Sequence, residues 1–261
     1  MSFRYQRSVL SFGGYMTPAV KGLIIANAAV YVVQLLAEFF FPPLTETILK
    51  LFGLIPYAVT HGLRIWQPFT YLFLHGGFFH ILLNMFALWM FGCDLERYWG
   101  RRRFLFYYFL TGVGAGVLNV ALKTLAAGGV LTPSLFSVTI GASGAIYGVL
   151  LAFGLLFPDR IIYLYFLIPI PARIFVLIMG AITFFASLSS TGDNISHISH
   201  LGGMLFGLLY LRGRRWFGFS TWIYRLRLLY WDWKRRRLRK QFEVYTREHD
   251  REEHRHDRWV H

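Results

Sequence analysis

Six apolar runs dominate the sequence, and each is long enough, or nearly so, to cross the hydrocarbon core of a membrane. A helix needs about 20 mainly apolar residues for that distance of ~30 Å. The composition agrees, because 56% of the residues are hydrophobic and only 15% are charged, against about 25% charged residues in an ordinary soluble domain. The runs predict an all-α polytopic membrane protein with six transmembrane helices. The predicted spans are residues 19–41, 78–93, 104–122, 141–157, 161–188 and 197–211.

The connections between the spans differ in character. Residues 43–77 mix short apolar runs with polar side chains, which predicts an interfacial loop with short helices. The charged stretch 94–103 predicts a turn after span two. Pro169 and Pro171 predict a kink in span five or a delayed start. The single cysteine, Cys93, excludes an internal disulfide, and we expect it only to pack in the core.

Charge divides the chain into an N-terminal segment (1–18), a membrane body (19–211) and a basic tail (212–261). The tail holds 15 Lys and Arg residues against 7 Asp and Glu residues, a net charge of +8 out of +14 for the whole chain. By the positive-inside rule, this distribution predicts that both termini lie in the cytoplasm. Interleaved arginines and aromatic residues also suit single-stranded nucleic acid. Just inside a membrane span, however, they favour binding to anionic lipid headgroups, and we do not expect nucleic acid binding.

Polar residues inside spans are costly, which makes them informative. Each even-numbered span carries a pair near its start: His80 and Asn84, Ser143 and Tyr147, and His197 and His200. Even-numbered spans run inward under the predicted topology, so the three pairs are expected at a similar depth near the outer face.

Small-residue stripes indicate how the pairs could meet. Gly144 and Gly148 lie four apart on span four, as do Gly203 and Gly207 on span six, and such stripes let helix backbones approach closely. If the two stripes face each other, Ser143 comes within hydrogen-bonding range of His200. A serine beside an imidazole is an activated nucleophile.

Three stretches together, residues 66–84, 141–148 and 200–207, resemble the rhomboid intramembrane serine proteases. The Gly-x-Ser-Gly element alone is weak. Its combination with His-x-x-x-Asn and His-x-x-Gly-x-x-x-Gly, in the expected order and on the expected spans, is specific. The resemblance covers about residues 19–211, the whole membrane body.

The resemblance implies a role for each of five residues. Ser143 would be the nucleophile and His200 the base. His80 and Asn84 would line an oxyanion hole, for which they carry suitable donors. Tyr147 would pack on the imidazole of His200. The substrates would be single-span membrane proteins, and the six-span form would sit in a bacterial cytoplasmic membrane.

Two positions depart from the family pattern. Gln67 follows Trp66 where the family often has arginine, and Ser199 precedes His200 where alanine is common. Neither position carries chemistry. The effect of Gln67 on the packing of the first loop stays open.

We expect no metal and no cofactor. His197 and His200 form His-x-x-His, but no glutamate lies between them, which argues against a zinc protease. No carboxylate is expected at the depth of Ser143, because Asp94 and Asp159 lie at inner span ends and Asp193 lies in an outer loop. A Ser-His dyad is therefore predicted, with Tyr147 orienting the histidine by packing.

The main hypothesis is thus an intramembrane serine endopeptidase that cuts near the outer leaflet. One alternative is a catalytically inactive relative that escorts membrane helices. A second alternative is a transporter with a polar site at the membrane midplane. A transporter predicts internal repeats with broken helices in both halves, and the sequence has no such symmetry.

Overall fold

The structure is a computed structural model that describes residues 15–164, 167–189, 194–216, 228–235 and 237. The chain divides into two compact units, Met1–Leu211 and Arg212–His261. The helices are α1 (Pro18–Phe40), α2 (Pro42–Phe52), α3 (Pro56–Thr60), α4 (Gln67–Thr70), α5 (Phe78–Ala87), α6 (Cys93–Trp99), α7 (Arg101–Ala127), α8 (Pro133–Phe136), α9 (Ser143–Leu156), α10 (Ala172–Ser189) and α11 (Asn194–Trp216). A 3₁₀ turn (Tyr71–Phe73) follows α4, and strands β1 (Ile161–Leu164) and β2 (Ile168–Pro171) precede α10.

Helices of the described residues follow the order of the predicted spans. Three are long and apolar enough to cross a membrane, Pro18–Phe40, Phe78–Trp99 and Arg101–Ala127. Two shorter apolar helices, Ser143–Leu156 and Ala172–Ser187, correspond to spans four and five. With α11 as the sixth, the all-α polytopic fold class is confirmed.

Span two extends further than the sequence predicts. A π-helical turn (Leu88–Gly92) joins α5 to α6, so the helix continues to Trp99 through the stretch expected to be a turn. The helix tolerates the charged side chains of this stretch because they have partners. Arg97 donates to the carboxylate of Asp94 at 3.0 Å. Both oxygens of the buried Glu96 carboxylate accept from the N–H of Ala19, at 2.9 and 3.0 Å, and one also accepts from Val20 at 3.0 Å. A carboxylate is stabilised at a helix N-terminus, and Glu96 thereby fixes the start of α1 against α6.

A β-hairpin replaces the first part of the predicted span five. β1 and β2 pair antiparallel, with Ile162 opposite Ile170 and Tyr163 opposite Pro169. Proline has no N–H to donate inside a helix, whereas it is tolerated on an edge strand. Helix α10 therefore begins only at Ala172, directly after Pro171.

Helix α7 runs through the centre of the membrane unit. Its residues Phe104, Tyr107 and Tyr108 are completely buried. The Tyr107 hydroxyl donates to the carbonyl of Gly148 on α9 at 2.7 Å. This bond ties α7 to α9 along the small-residue stripe of span four.

In the second unit, residues 228–235 are helical. Their aromatic side chains are exposed, including Trp231 and Trp233. Lys234 lies over the ring of Trp231 at 5.1 Å, and Arg237 lies over the ring of Trp233 at 5.5 Å. The described part of the tail therefore presents cations and indole rings on the same short segment.

Candidate active site

Ser143 is the first residue of α9. The chain enters this helix through Gly141, whose φ of +121° favours glycine. The N–H of Gly141 donates to the carbonyl of Tyr71 at 2.9 Å, which anchors the turn before the serine. Because the first N–H groups of a helix have no partner within it, the backbone N–H of Ser143 is available to an incoming group.

Ser143 and His200 meet as the glycine spacing predicts. The Oγ of Ser143 lies 2.8 Å from Nε2 of His200. The two helices are in backbone contact here, since a Cβ built on Gly203 would lie 1.8 Å from the carbonyl oxygen of Gly144. Only a glycine at position 203 permits this approach.

Tyr147 lies one turn after Ser143 and stacks on His200. The two rings are parallel within 5°, and their centroids are 4.2 Å apart. The other ring nitrogen of His200, Nδ1, is buried and has no hydrogen-bond partner among the described residues. In the described part of the chain, the imidazole is therefore oriented by packing and by the Ser143 hydroxyl. Asp193, which the sequence analysis places in an outer loop, lies outside the described residues.

His80 and Asn84 lie on one face of α5. The N–H of Gly76 donates to Nδ1 of His80 at 3.3 Å, so in the neutral ring the proton is on Nε2. This Nε2 borders the entry to α9, because a Cβ built on Gly141 would lie 2.8 Å from it. The amide of Asn84 donates one N–H to the carbonyl of His80 at 2.7 Å and keeps a second N–H.

His75 is a buried histidine beside His80 that the sequence analysis does not single out. Its ring packs edge-on against His80 at 5.1 Å. Its backbone is held at both ends by the Gln34 side chain of α1, which accepts from the His75 N–H at 3.0 Å and donates to its carbonyl at 3.2 Å. Burial, with a smaller contribution from His80, lowers the pKa of His75 to about 4. The ring is therefore neutral at pH 7 and supports His80 without adding charge.

The first loop is organised around the C-terminus of α2. Gln67 is fully buried, accepts from the N–H of Ile55 at 3.0 Å and donates to the carbonyl of Lys50 at 2.9 Å. Further side chains donate to the last carbonyls of α2, namely Arg64, Trp66 and Thr70. A neutral amide at position 67 thus caps the helix, which explains how this loop packs where the family often has arginine.

Ser199, the other departure from the family pattern, also has a place in the structure. It is buried, and its hydroxyl accepts from the Asn119 amide of α7 at 3.0 Å. Asn119 is itself fully buried. The residue before His200 is therefore tied to the central helix.

The remaining candidate residues fall in varied surroundings. His197 lies in the first turn of α11, where the sequence suggests a helix-start or solvent-facing residue; it is half-buried and packs edge-on to His200 at 6.0 Å. Cys93 is buried and free, as expected for a packing residue. The tail histidines lie outside the described residues: His249, His254, His256 and His261.

Comparison with known proteins identifies the family. A family profile described as the rhomboid domain matches residues 62–217, more than half of the chain. The rhomboid protease AarA of Providencia stuartii is 30% identical over 206 residues, which are 72% of this chain and 69% of that protein.

Two further relatives match over shorter regions. Rhomboid protein 1, mitochondrial, of Saccharomyces cerevisiae is 33% identical over 139 residues, or 53% of this chain and 38% of that protein. The putative rhomboid protease YdcA of Bacillus subtilis is 31% identical over 146 residues, or 55% of this chain and 64% of that protein. The chain thus spans well under half of the yeast relative. Together with the profile match over most of the membrane body, these similarities establish that the chain belongs to the rhomboid family.

Proposed function

We propose that the chain is an intramembrane serine endopeptidase in which Ser143 is the nucleophile and His200 is the general base. The observation that carries the proposal is the 2.8 Å distance between Ser143 Oγ and His200 Nε2. A nucleophile and base within hydrogen-bonding reach, with the base held by a third group, is the pattern of an activated serine. Here the third group is the stacked ring of Tyr147.

The proposed reaction proceeds by acyl transfer. Ser143 Oγ attacks the scissile carbonyl carbon while its proton passes to His200 Nε2. The tetrahedral intermediate collapses, the C–N bond breaks, and His200 returns the proton to the leaving amine. Water then attacks the acyl-serine, gives its proton to His200, and releases the new carboxyl end as Ser143 is regenerated.

Donors for the developing oxyanion surround the start of α9. The backbone N–H of Ser143 is one candidate, since α9 begins there. His80 is a second, through the Nε2–H that its bond to Gly76 leaves in place. The second N–H of Asn84 is a third. Donors fixed before the reaction stabilise the oxyanion without reorganisation.

The proposed substrates are transmembrane proteins, cut near the outer leaflet. A spanning helix has every backbone group bonded internally, so it must unwind before its carbonyl reaches Ser143. Ser143 and Tyr147 are partly exposed, which is compatible with entry of both peptide and water at this end of α9.

The proposed setting is a bacterial cytoplasmic membrane with both termini inside. Positive-inside counting supports the orientation. The relatives include both a mitochondrial protein of yeast and a protein of the bacterium Providencia stuartii. Trp231, Trp233 and Lys234 in the tail support contact with anionic headgroups, because their rings and charge are exposed together.

Labelling with a fluorophosphonate tests the proposed activity against the alternative of an inactive escort protein. The probe phosphonylates an activated serine with loss of fluoride. We expect the wild-type chain in detergent to be labelled and to cleave a transmembrane substrate. Ser143→Ala and His200→Ala should each abolish both activities, and the double variant should be no worse, since the two residues act as one unit. A folded wild-type chain that neither labels nor cleaves would favour the escort function.

A thiol assay tests the orientation. In a Cys93→Ser background, Ser143→Cys should react with a membrane-impermeant maleimide added from the outer side of sealed vesicles. The Cys93→Ser chain without the added cysteine is the control. Labelling only from the cytoplasmic side would reverse the proposed topology.

A further inference from the structure

One buried hydroxyl on α10 makes an unusual hydrogen bond. Thr183 is only 1% exposed, although α10 carries strongly exposed neighbours such as Leu177 and Ile182. Its hydroxyl donates to the hydroxyl of Tyr147 at 3.1 Å. A polar contact at membrane depth is informative, because polar side chains there are costly unless they are satisfied.

Hydroxyl residues in helices ordinarily donate to a carbonyl of their own helix. Several of the described residues do so, including Thr111 and Ser187. Thr111 donates to the carbonyls of Tyr107 and Tyr108, at 2.9 and 3.0 Å, and Ser187 donates to the carbonyl of Phe184 at 2.6 Å. Thr183 instead uses its single proton to reach another helix. The bond therefore contributes to the position of Tyr147 and not to the local structure of α10.

Tyr147 is the residue through which Thr183 can reach the site. Its ring stacks on His200 with centroids 4.2 Å apart and planes within 5°. His200 in turn lies 2.8 Å from the Ser143 hydroxyl. Three helices thus contribute to one sequence of contacts, from Thr183 on α10 through Tyr147 on α9 to His200 on α11.

A stacked ring constrains an imidazole only when the ring itself is held. The aromatic ring of a tyrosine rotates about a broad terminal torsion, and the partly exposed Tyr147 is not enclosed on all sides. The hydroxyl lies on the long axis of the ring, so anchoring it does not limit rotation about that torsion. It fixes the far end of the ring and thereby limits the swing of the ring about χ1, while the stack on His200 sets the plane of the ring. Nδ1 of His200 has no hydrogen-bond partner among the described residues. The ring of Tyr147 therefore has more influence on the orientation of the imidazole than it would in a Ser-His-Asp triad, where a carboxylate holds Nδ1.

We propose that Thr183 is a positioning residue of the Ser143–His200 pair, acting by fixing the hydroxyl of Tyr147. The inference rests on the proposed function and deepens it. It links the reactivity of the serine to the position of α10. Thr183 touches neither of the reacting groups, so its contribution is to keep the imidazole in the orientation that accepts the serine proton.

The test measures the second-order rate constant for fluorophosphonate labelling of the full chain in detergent. A rate constant is independent of the folded fraction, so a merely structural role would leave it unchanged. Thr183→Val keeps the shape of the side chain and removes the donor. We expect the rate constant and kcat to fall about five- to tenfold, the size that one hydrogen bond can supply, with KM unchanged.

Two further variants identify the bond. Thr183→Ser restores a hydroxyl and should recover most of the rate. Tyr147→Phe removes the other partner and should give a similar loss, and the double variant Thr183→Val/Tyr147→Phe should lose no more than either alone. Ser187→Ala is the matched control on the same helix, because its hydroxyl serves only α10, and its labelling rate should equal that of the wild type.

The outcomes separate the two proposals. If the wild-type chain labels at Ser143 and the rate constants of Thr183→Val and Tyr147→Phe equal that of the wild type, the role of Thr183 is overturned and the proposed function stands. Additive losses in the double variant also overturn it, since the two hydroxyls would then act independently. A folded wild-type chain that does not label overturns both. If Thr183→Val does not fold, Tyr147→Phe decides the question by the same measurement.

Discussion

Helix α9 is packed differently on its two flanks. Toward α7 and α11, backbones meet with almost no side chain between them: a Cβ built on Gly144 would lie 2.8 Å from the Cβ of Ala115 and 3.3 Å from the carbonyl of Ser199. Toward α10, the contacts near the site are made by side chains, such as the hydroxyls of Thr183 and Tyr147.

The difference concerns what holds helices together in lipid. Lipid tails are as apolar as leucine, so close backbone packing and interhelical hydrogen bonds take over the role of the hydrophobic effect. The α7–α9–α11 flank has both, including the Asn119–Ser199 bond at 3.0 Å. We therefore expect this flank to form the stable frame of Ser143 and His200. The α10 flank should adjust the site without holding the fold together.

The largest expected effect comes from breaking the backbone contact. Gly203→Val introduces a branched side chain where even a Cβ would lie 1.8 Å from the Gly144 carbonyl oxygen. Overpacking usually costs about 1–3 kcal/mol, and more when the blocking atom is backbone that cannot move aside. Thermal unfolding in detergent should show a loss of at least about 3 kcal/mol, together with loss of serine labelling. A stable, fully labelled Gly203→Val chain would mean that α9 and α11 are not in backbone contact.

An intermediate effect is expected from the polar contact on the same flank. Asn119→Leu removes the amide that donates to the buried Ser199. The loss should be about 1–3 kcal/mol, the usual cost of removing one partner of a buried hydrogen bond. Chemical unfolding of Asn119→Leu, Ser199→Ala and the double variant would measure the coupling, and the double variant should lose less than the sum of the two.

Asn27→Leu is the matched control for that measurement. Asn27 is also fully buried, but its amide donates to Leu23 of its own helix α1, at 2.8 Å. Its replacement should cost clearly less than that of Asn119. Equal losses at the two positions would argue against a special contribution of the Asn119–Ser199 bond between α7 and α11.

The smallest effect is expected on the α10 flank. Gly180 on α10 has room toward α11, since an added Cβ would lie 3.5 Å from the terminal methyl of Met204 on α11, an ordinary contact with a flexible side chain. Gly180→Ala should not lower the unfolding free energy, and the higher helix propensity of alanine should raise it by up to about 1 kcal/mol. The same substitution at Gly203 should instead lower the unfolding free energy when both are followed by thermal unfolding. Similar losses at the two glycines would remove the distinction between the flanks.

Much of the site could be predicted from sequence because its residues lie at helical spacing. Ser143 and Tyr147 share a face of α9 by their separation of four, and the Gly203–Gly207 stripe brings His200 to them. The order of the spans and the class of fold follow from the apolar runs in the same way. The roles of Ser143, His200, His80 and Asn84 in catalysis stay predictions.

Other features could not be predicted, because their partners are distant in sequence. From the sequence, Glu96 belongs to a charged turn. In the structure its carboxylate accepts from the backbone N–H of Ala19 at the start of α1, which is 77 residues away along the chain. Gln34 holds the backbone of His75 from 41 residues away. Pro169 and Pro171 predict a kink or a delayed start of span five, and the structure shows the delayed start of α10. The sequence did not predict the β-hairpin that precedes this helix.

The sequence by itself thus determined the elements of this protein: which segments enter the membrane, which faces carry small residues, and which polar side chains must find partners at depth. Apolar length and helical periodicity are local properties, and they act before any contact between helices exists. Only the tertiary structure decided which partners those side chains take. The Thr183 hydroxyl could have donated to a carbonyl of its own helix, as the Thr111 hydroxyl does. Its donation to the Tyr147 hydroxyl depends on where α9 and α10 lie relative to each other. The relative position of the helices is set by close packing over the whole bundle. Small shifts in that packing decide whether a hydroxyl bonds to a neighbouring helix or to its own.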